Sequence, residues 1–490
     1  MKTSMKTILV FLTGLMAFNA CVSNYVFEDA DAIGPASELR PMTFAAGQEG
    51  TDAATRVAID GLDIKWSEGD MFSLFDGSDV NRGNQAFVLK SGAGSTCAIF
   101  EGNAAEADTY YAVYPYAPSY YNEHVPTLQE VAIALGEEDY MMLEMWKMEY
   151  DEGYMDDAEL EEELKHYYDD VSPETMALAL AYFRGQSYVY MSGPQRKGNL
   201  FENVSIPSEQ TVASGQSVDP DALLMIAESA DDSHLDFKNI CAFVKVIPKF
   251  DCAAIAIRSK GSQSLAGTVT VDYNGGVPST TVTSDGSNEV VLAGAIAAGN
   301  PYYIAVRPES LSSGFTVEFL TAEKSHYYAR STGRTLALQR NNVTDLGEFE
   351  TGGPWSVDSD TEGDDGNGHD WMLVIPTLKL ATVHLSITAY ASAEGQWGSD
   401  WVSMTNDDVK ALYAAIKPSF SYVDFPYSII IEGPGVLKYA KAYNHTYLTT
   451  QIWTSTSYDD QNQYYFWLGS GSLSTLDKIY TNGVWYKYTK

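Results

Sequence analysis

Positive charge is scarce in this chain: 30 Lys and Arg stand against 66 Asp and Glu, a formal net charge of −36 over 490 residues. So acidic a surface repels phosphate backbones and anionic head groups, which excludes nucleic acid as a partner. Long apolar runs are missing as well. Nothing after residue 21 approaches the ~20 residues that a membrane-crossing helix needs, so the body of the protein is read as water-soluble. Cysteine is equally thin, with only Cys21, Cys97, Cys241 and Cys252. Four such residues so far apart build neither a disulfide scaffold nor a thiolate zinc site. Cys97 and Cys241 lie in apolar, strand-like runs, so buried unpaired thiols are the expectation, with a bridge between two of the last three as the alternative.

Catalytic signatures are absent too. There is no GxSxG, HExxH, GxxxxGK, GxGxxG or CxxC, and no two of the seven histidines share metal-ligand spacing. The reading is therefore a protein that is not an enzyme and carries no cofactor and no metal. Paired carboxylates of a glycoside hydrolase leave no local trace, so a hydrolase stays as the weakest functional alternative.

What is present begins with a short leader. Lys2 and Lys6 precede an apolar run over residues 8–18, too short to span a bilayer, and Asn19-Ala20 places small residues before Cys21. This reads as an exported protein lipidated on Cys21, whose acyl chains would be its membrane contact. An ordinary cleaved signal peptide is the alternative, since Phe18 is not the aliphatic residue usual three positions before a lipidated cysteine.

A chain of this length divides into several domains. Residues 1–20 are the signal peptide and 21–56 an acidic prepeptide with one strand-like stretch at 42–45. Residues 57–249 and 250–350 form two blocks of short, turn-punctuated strands, a sandwich or barrel pattern. Within the second block Phe315, Val317 and Phe319 alternate with Thr316 and Glu318, which predicts one buried and one wet face. A helical insertion interrupts the first block at about 122–187. Ser172 and Pro173 open one of its helices, and residues 158–168 form another with Leu160, Leu164 and Tyr167 on one face. The acids on the other faces, including Glu159, Glu161, Glu162 and Glu163, read as a solvated surface, with a divalent-metal site as the lesser reading. Residues 351–370 are rich in Gly and Asp. Their resemblance to an EF-hand loop fails at His369, where a glutamate belongs, and they are read as a flexible acidic linker. Residues 371–490 form an aromatic-rich α+β domain in which Thr405 or Asn406 caps a helix carrying Val409, Leu412, Tyr413 and Ile416. The fold class is thus mainly β: two tandem β-sandwich-like domains, the first with a helical insertion, then an α+β domain.

Several motifs in order resemble the fimbrillin family of Bacteroidetes surface pilins and related lipoproteins. After the leader come TR at 55–56, WSEGD at 66–70, FEG at 100–102, YYAVYPY at 110–116, IPSEQ at 206–210, LDFKNICAFVKV at 235–246, LAG at 265–267, YYIAVRP at 302–308 and RNNVTDLG at 340–347. The resemblance covers about 42–350, without the insertion or the tail. It implies a lipoprotein precursor at the outer membrane, cleaved after an arginine so that its first strand is lost and another subunit's strand fills the groove, which is β-augmentation. Arg56 matches the cleaved arginine and Arg40 is the runner-up. The partners implied are other fimbrial subunits by donor-strand complementation, in a fimbrium. Because a whole domain follows where stalk subunits end in a donor segment, the resemblance suggests a subunit that accepts a strand and donates none, a tip adhesin. The run IWTSTSYDDQNQYYFWL at 452–468 resembles C-type-lectin-like domains, which makes Trp453 and Trp467 candidate contacts for a host or bacterial surface ligand such as a glycan. The competing reading is a monomeric surface lipoprotein that binds polysaccharide and keeps its lipid on Cys21.

Overall fold

The structure is a computed structural model and describes residues 39–49, 64–76, 84–135, 141–168, 171, 173–229, 233–273, 276–382, 385–387, 396–416, 421–423, 428–431, 435–440, 443–446, 451–457, 462–467, 472–477, 482–484 and 486–490. It is mainly β. Seven strands close a barrel: β1 (Arg40–Gln48), β2 (Met71–Phe75), β3 (Gln85–Ser91), β4 (Cys97–Ala104), β5 (Tyr110–Tyr114), β6 (Met225–Ser229) and β7 (His234–Asn239), in the order β1, β7, β6, β5, β2, β3, β4 and back to β1. Strand periodicity turns alternate residues inward, and Phe44, Phe72, Phe87, Phe100 and Phe237 are fully buried there. Phe72 stacks on Phe87 at 5.4 Å between centroids and meets Phe100 at 4.9 Å and Phe237 at 5.4 Å.

The motif residues explain themselves locally. Trp66 of WSEGD packs edge-on against Phe100 and Phe237 at 5.0 and 5.5 Å. The Ser67 amide then donates to Asp70 Oδ2 at 2.7 Å, with Gly69 at φ +89° between them. Only a residue without Cβ takes that angle readily. The Tyr114 hydroxyl of YYAVYPY donates to the same carboxylate at 3.1 Å, tying the turn to β5, and burial together with Asp70 pushes the phenol pKa well up. Cys97 departs from expectation: it is exposed, because the alternation of β4 turns Ala98 and Phe100 inward and Cys97 out. Cys241 and Cys252 are buried, and all three thiols are free.

The insertion stands on a two-stranded neck, Tyr120–His124 against Tyr188–Ser192. Its helices are α1 (Leu128–Leu135), α2 (Met141–Asp151), α3 (Asp157–Tyr167) and α4 (Pro173–Arg184). They enclose their own core, which includes Val131, Leu143, Trp146, Leu160, Leu164 and Phe183. A capping box starts α3: Asp156 Oδ1 accepts from the Ala158 and Glu159 amides at 2.9 and 3.0 Å, and Glu159 Oε2 accepts from the Asp156 amide at 3.0 Å. Tyr167, assigned to the buried face, is exposed at the last residue of α3 and touches Trp146 edge-on at 5.3 Å.

The division between the two β blocks differs from the expected 249/250. Strands Leu200–Ile206 and Glu209–Val212 precede β6 in sequence but pair with Ala266–Asp272 and Glu289–Ile296 in the second body. Strand Ala242–Pro248 also lies there, between Tyr302–Val306 and Val343–Phe349. Alternation in a sequence says that a strand has a buried face, not which partner buries it. Gln210 of IPSEQ is fully buried and its amide bonds both backbone groups of Ala305, accepting from N–H at 3.0 Å and donating to C=O at 2.6 Å.

Residues 351–370, expected as a flexible linker, carry two strands. Val357–Asp360 extends the second body's sheet beside His326–Thr332, and Glu362–Asp364 begins the next sheet by pairing with Asp370–Ile375. His326 bridges two of the acids, its Nε2 2.5 Å from Asp358 and its Nδ1 2.9 Å from Asp360. Beyond lie two five-stranded sheets and α5 (Asn406–Ile416), where the Asp408 amide donates to Thr405 Oγ1 at 3.1 Å and the Thr405 amide to Asp408 Oδ2 at 2.7 Å.

This C-terminal part docks on the second body through a short helical turn, Gly435–Tyr439, which corrects the expected wet face of Phe315–Thr321. Val436 and Leu437 pack with Ala254, Ala256, Val291 and Leu320, so that Glu318 is buried. Its carboxylate shares Arg258 with Glu289: Nη2 lies 2.5 Å from Glu289 and Nε 3.1 Å from Glu318. A Cβ on Gly435, whose φ is +57°, would overlap Glu289 Oε1, so glycine permits the approach. Burial, reinforced by Glu318 and opposed by Arg258 and Lys438, pushes the Glu289 pKa up from 4.5 to about 7. A carboxyl raised on folding contributes stability below its unfolded value and loses it as pH rises through the folded one. Thermal unfolding should therefore show wild type losing on the order of 2 kcal/mol relative to Glu289→Gln as pH rises from about 4.5 to about 7. A pH-independent difference would disprove this assignment.

The barrel-closing strand β1 as the candidate functional site

The site is built around β1. Its sequence, RPMTFAAGQ, turns Met42, Phe44 and Ala46 into the barrel while Pro41 and Thr43 face solvent. Phe44 meets Phe87 at 5.5 Å and Tyr110 at 5.3 Å, so this one ring joins the aromatic core to the strand. Along one edge β1 runs antiparallel to β4, from Arg40 opposite Ala104 to Gly47 opposite Cys97. Along the other, Ala45 to Gln48 run parallel to His234 to Phe237 of β7. Removing β1 would leave two strand edges with unpaired backbone groups and three empty side-chain pockets, an arrangement that a new strand can satisfy.

Each end of β1 is pinned by an ion pair. Arg40 Nη1 lies 3.1 Å from Glu106 Oε2 in an exposed pair, which contributes little. Glu49, just past the other end, makes a two-pronged bond with Arg340 of the second body: Oε2 accepts from Nη1 at 2.6 Å and Oε1 from Nη2 at 2.8 Å. Arg340 Nη1 also donates to the Asn239 carbonyl at 2.7 Å. The Glu49 amide donates to the Phe237 carbonyl at 2.8 Å, which fixes where its carboxylate falls.

Among the residues singled out in the sequence, those at 42–45 form the middle of β1, and Arg40 is its first residue. Cys21 and Arg56 lie outside the described residues. Trp453 and Trp467 stand on adjacent antiparallel strands of one sheet, Gln451–Ser457 and Asn462–Trp467, with Trp453 paired to Tyr465 and Trp467 to Gln451. They belong to the C-terminal part, not to the barrel. Sequence reasoning missed the Glu49–Arg340 bond altogether: Arg340 opens the RNNVTDLG motif, but nothing local ties it to a glutamate 291 residues earlier. Among the described residues no group of three or more His, Cys, Asp or Glu side chains is placed to hold a metal ion, and no helix is long and apolar enough to cross a membrane.

No family model matches the chain, and no curated protein does. Solved structures with a likeness include one described as a candidate cell adhesion protein from Bacteroides ovatus, at 8% identity and TM-score 0.32, covering 66% of this chain and 98% of that one. A second, described in the same words and from Bacteroides uniformis, has 14% identity and TM-score 0.32 over 65% and 96% of the two chains. A fimbrial protein from Bacteroides ovatus is similar at 10% identity and TM-score 0.23, over 91% and 98%. Scores this low decide neither fold nor function, which rest on the chain's own residues.

The geometry makes Phe44 the anchor of β1. Phe44→Ala should destabilise the barrel by about 3–5 kcal/mol. In amide hydrogen exchange, β4 should lose protection together with β7, whereas the solvent-facing Thr43→Ala should leave both unchanged. Equal protection in the two variants would refute the assignment.

Proposed function

We propose that this protein is a fimbrial subunit that receives a strand of another subunit in the place of β1, after cleavage at Arg56, and that its C-terminal part serves as an adhesive tip. The observation that carries this reading is that the first described strand closes a barrel along two edges and through three inward side chains. Arg56 follows Glu49 by seven positions, so a cut there separates β1 from the rest of the barrel without breaking any of the other six strands. Lipid on Cys21 would then be a means of delivery to the outer membrane, released with the prepeptide. The motifs that resemble fimbrillins support the same assembly route.

The tip position draws support from the whole C-terminal part that follows the second body, one of whose strands is Tyr486–Tyr488. That strand is paired on both sides, with Leu378–Ala381 and Trp401–Ser403, and Lys490 Nζ lies 2.6 Å from Asp400. A strand held in the middle of a sheet is not free to enter another subunit. The aromatic C-terminal part, docked through Val436 and Leu437, would meet a host or bacterial ligand, with Trp453 and Trp467 as candidate contacts. In this reading the protein is not an enzyme.

The test is Arg56→Ala together with N-terminal sequencing of protein from intact cells. Wild type should begin at Val57 and enter fibres; the variant should keep its lipidated N-terminus and stay out of them. If the variant joins fibres at the wild-type level, strand exchange through this cut is wrong. A wild-type N-terminus that stays at Cys21 would instead favour the monomeric polysaccharide-binding lipoprotein.

A further inference from the structure

The bond between Glu49 and Arg340 has a consequence for the identity of the incoming strand, and this inference rests on the strand-exchange reading above. The Arg340 guanidinium has a second partner besides Glu49, at the end of β7. Its Nη1 donates to the Asn239 carbonyl at 2.7 Å, the Asn239 amide side chain donates to Asn341 Oδ1 at 3.0 Å, and the Asn341 amide donates to the Cys241 carbonyl at 2.8 Å. None of these contacts is made by a residue of β1, although Asn239 ends β7, the strand beside it. What Arg340 loses when β1 leaves is Glu49, and both side chains of that pair are only about one-fifth exposed, 20% and 21%. A half-buried guanidinium stripped of a two-pronged carboxylate partner is left in an unfavourable state.

We infer that the strand replacing β1 must bring an acidic residue in register with Glu49, and that Arg340 reads it. The register is set by the backbone bond between the Glu49 amide and the Phe237 carbonyl. In a strand running in the direction of β1, the residue entering the pocket of Phe44 lies five positions before the one whose backbone bonds the Phe237 carbonyl. The recognised segment is therefore an extended peptide with apolar residues in the places of Met42, Phe44 and Ala46 and a carboxylate three positions after the last of them. The three pockets alone accept many apolar strands, and they fix face without fixing identity; a carboxylate requirement at one end rejects strands that are neutral or basic there. Two other carboxylates, Glu228 and Asp236, share this neighbourhood: burial first, and then Glu228, Glu49 and Asp236, raise the Tyr273 hydroxyl pKa, while Arg340 lowers it. They are the rivals for Arg340: if either closes on it once β1 is gone, the acid of the incoming strand becomes dispensable.

The experiment uses the full-length protein cut after Arg56 and fluorescent peptides of sequence RPMTFAAGQE, with glutamate or with glutamine at the position of Glu49. The glutamate peptide should displace the nicked β1, and the Glu49→Gln peptide should dissociate roughly 10- to 100-fold faster. In protein carrying Arg340→Gln the two peptides should dissociate at similar rates. Should that variant fail to fold, the peptide pair on unaltered protein still decides the matter. Equal dissociation from unaltered protein overturns the role of Arg340 while leaving strand exchange intact. If neither peptide enters the cut protein, the strand-exchange reading itself falls, and this inference with it.

Discussion

The seam between β1 and its two neighbours is the interaction on which the first body depends. β1 comes first in the chain among the described strands, yet it pairs with β7, the last strand of the barrel, and with β4, so the barrel closes only when distant parts of the sequence meet. Phe44 touches rings from β3 and β5 rather than from its paired neighbours. The strand is thus both a wall and a wedge: its backbone completes the ladder and its side chains complete the core. A body built this way is stable with a strand in that slot and exposed to aggregation without one.

Much of this was legible in the sequence. The acidic, Leu-spaced stretch at 158–168 located α3. The strand-like stretch at 42–45 proved to be the centre of β1. Misreadings share one physical cause, which is that a sequence pattern describes an element's faces but not its partners. Glu318 looked solvent-facing because nothing near it reveals that Val436 and Leu437 cover that side of the sheet. Strands Leu200–Ile206 and Glu209–Val212 looked like part of the first body because they lie between its segments. Residues 351–370 looked flexible because Gly and Asp are poor strand formers in isolation, yet adjacent sheet edges recruit them. The Glu49–Arg340 bond is the extreme case, for it exists only through tertiary structure.

The C-terminal part is fixed to the second body by a buried contact, not strung from it. The turn Gly435–Tyr439 lays two apolar side chains on the sheet, and around them one arginine serves two carboxylates. Such a cluster carries more acid than base, and burial raises the pKa of both carboxyls against the pull of Arg258. Orientation of whatever surface the C-terminal sheets present is inherited from the second body.

The direction in which β1 lies against β4 has a mechanical meaning. Its partners run opposite one another from Arg40 and Ala104 at one end to Gly47 and Cys97 at the other, with hydrogen bonds roughly perpendicular to the strands. Tension applied along a strand in this position strains every rung together, whereas tension applied across it would open them singly. A strand seated in this slot and pulled along its length would resist as a sheared ladder instead of a zipper, and its lifetime under load would be set by the rate of that collective rupture.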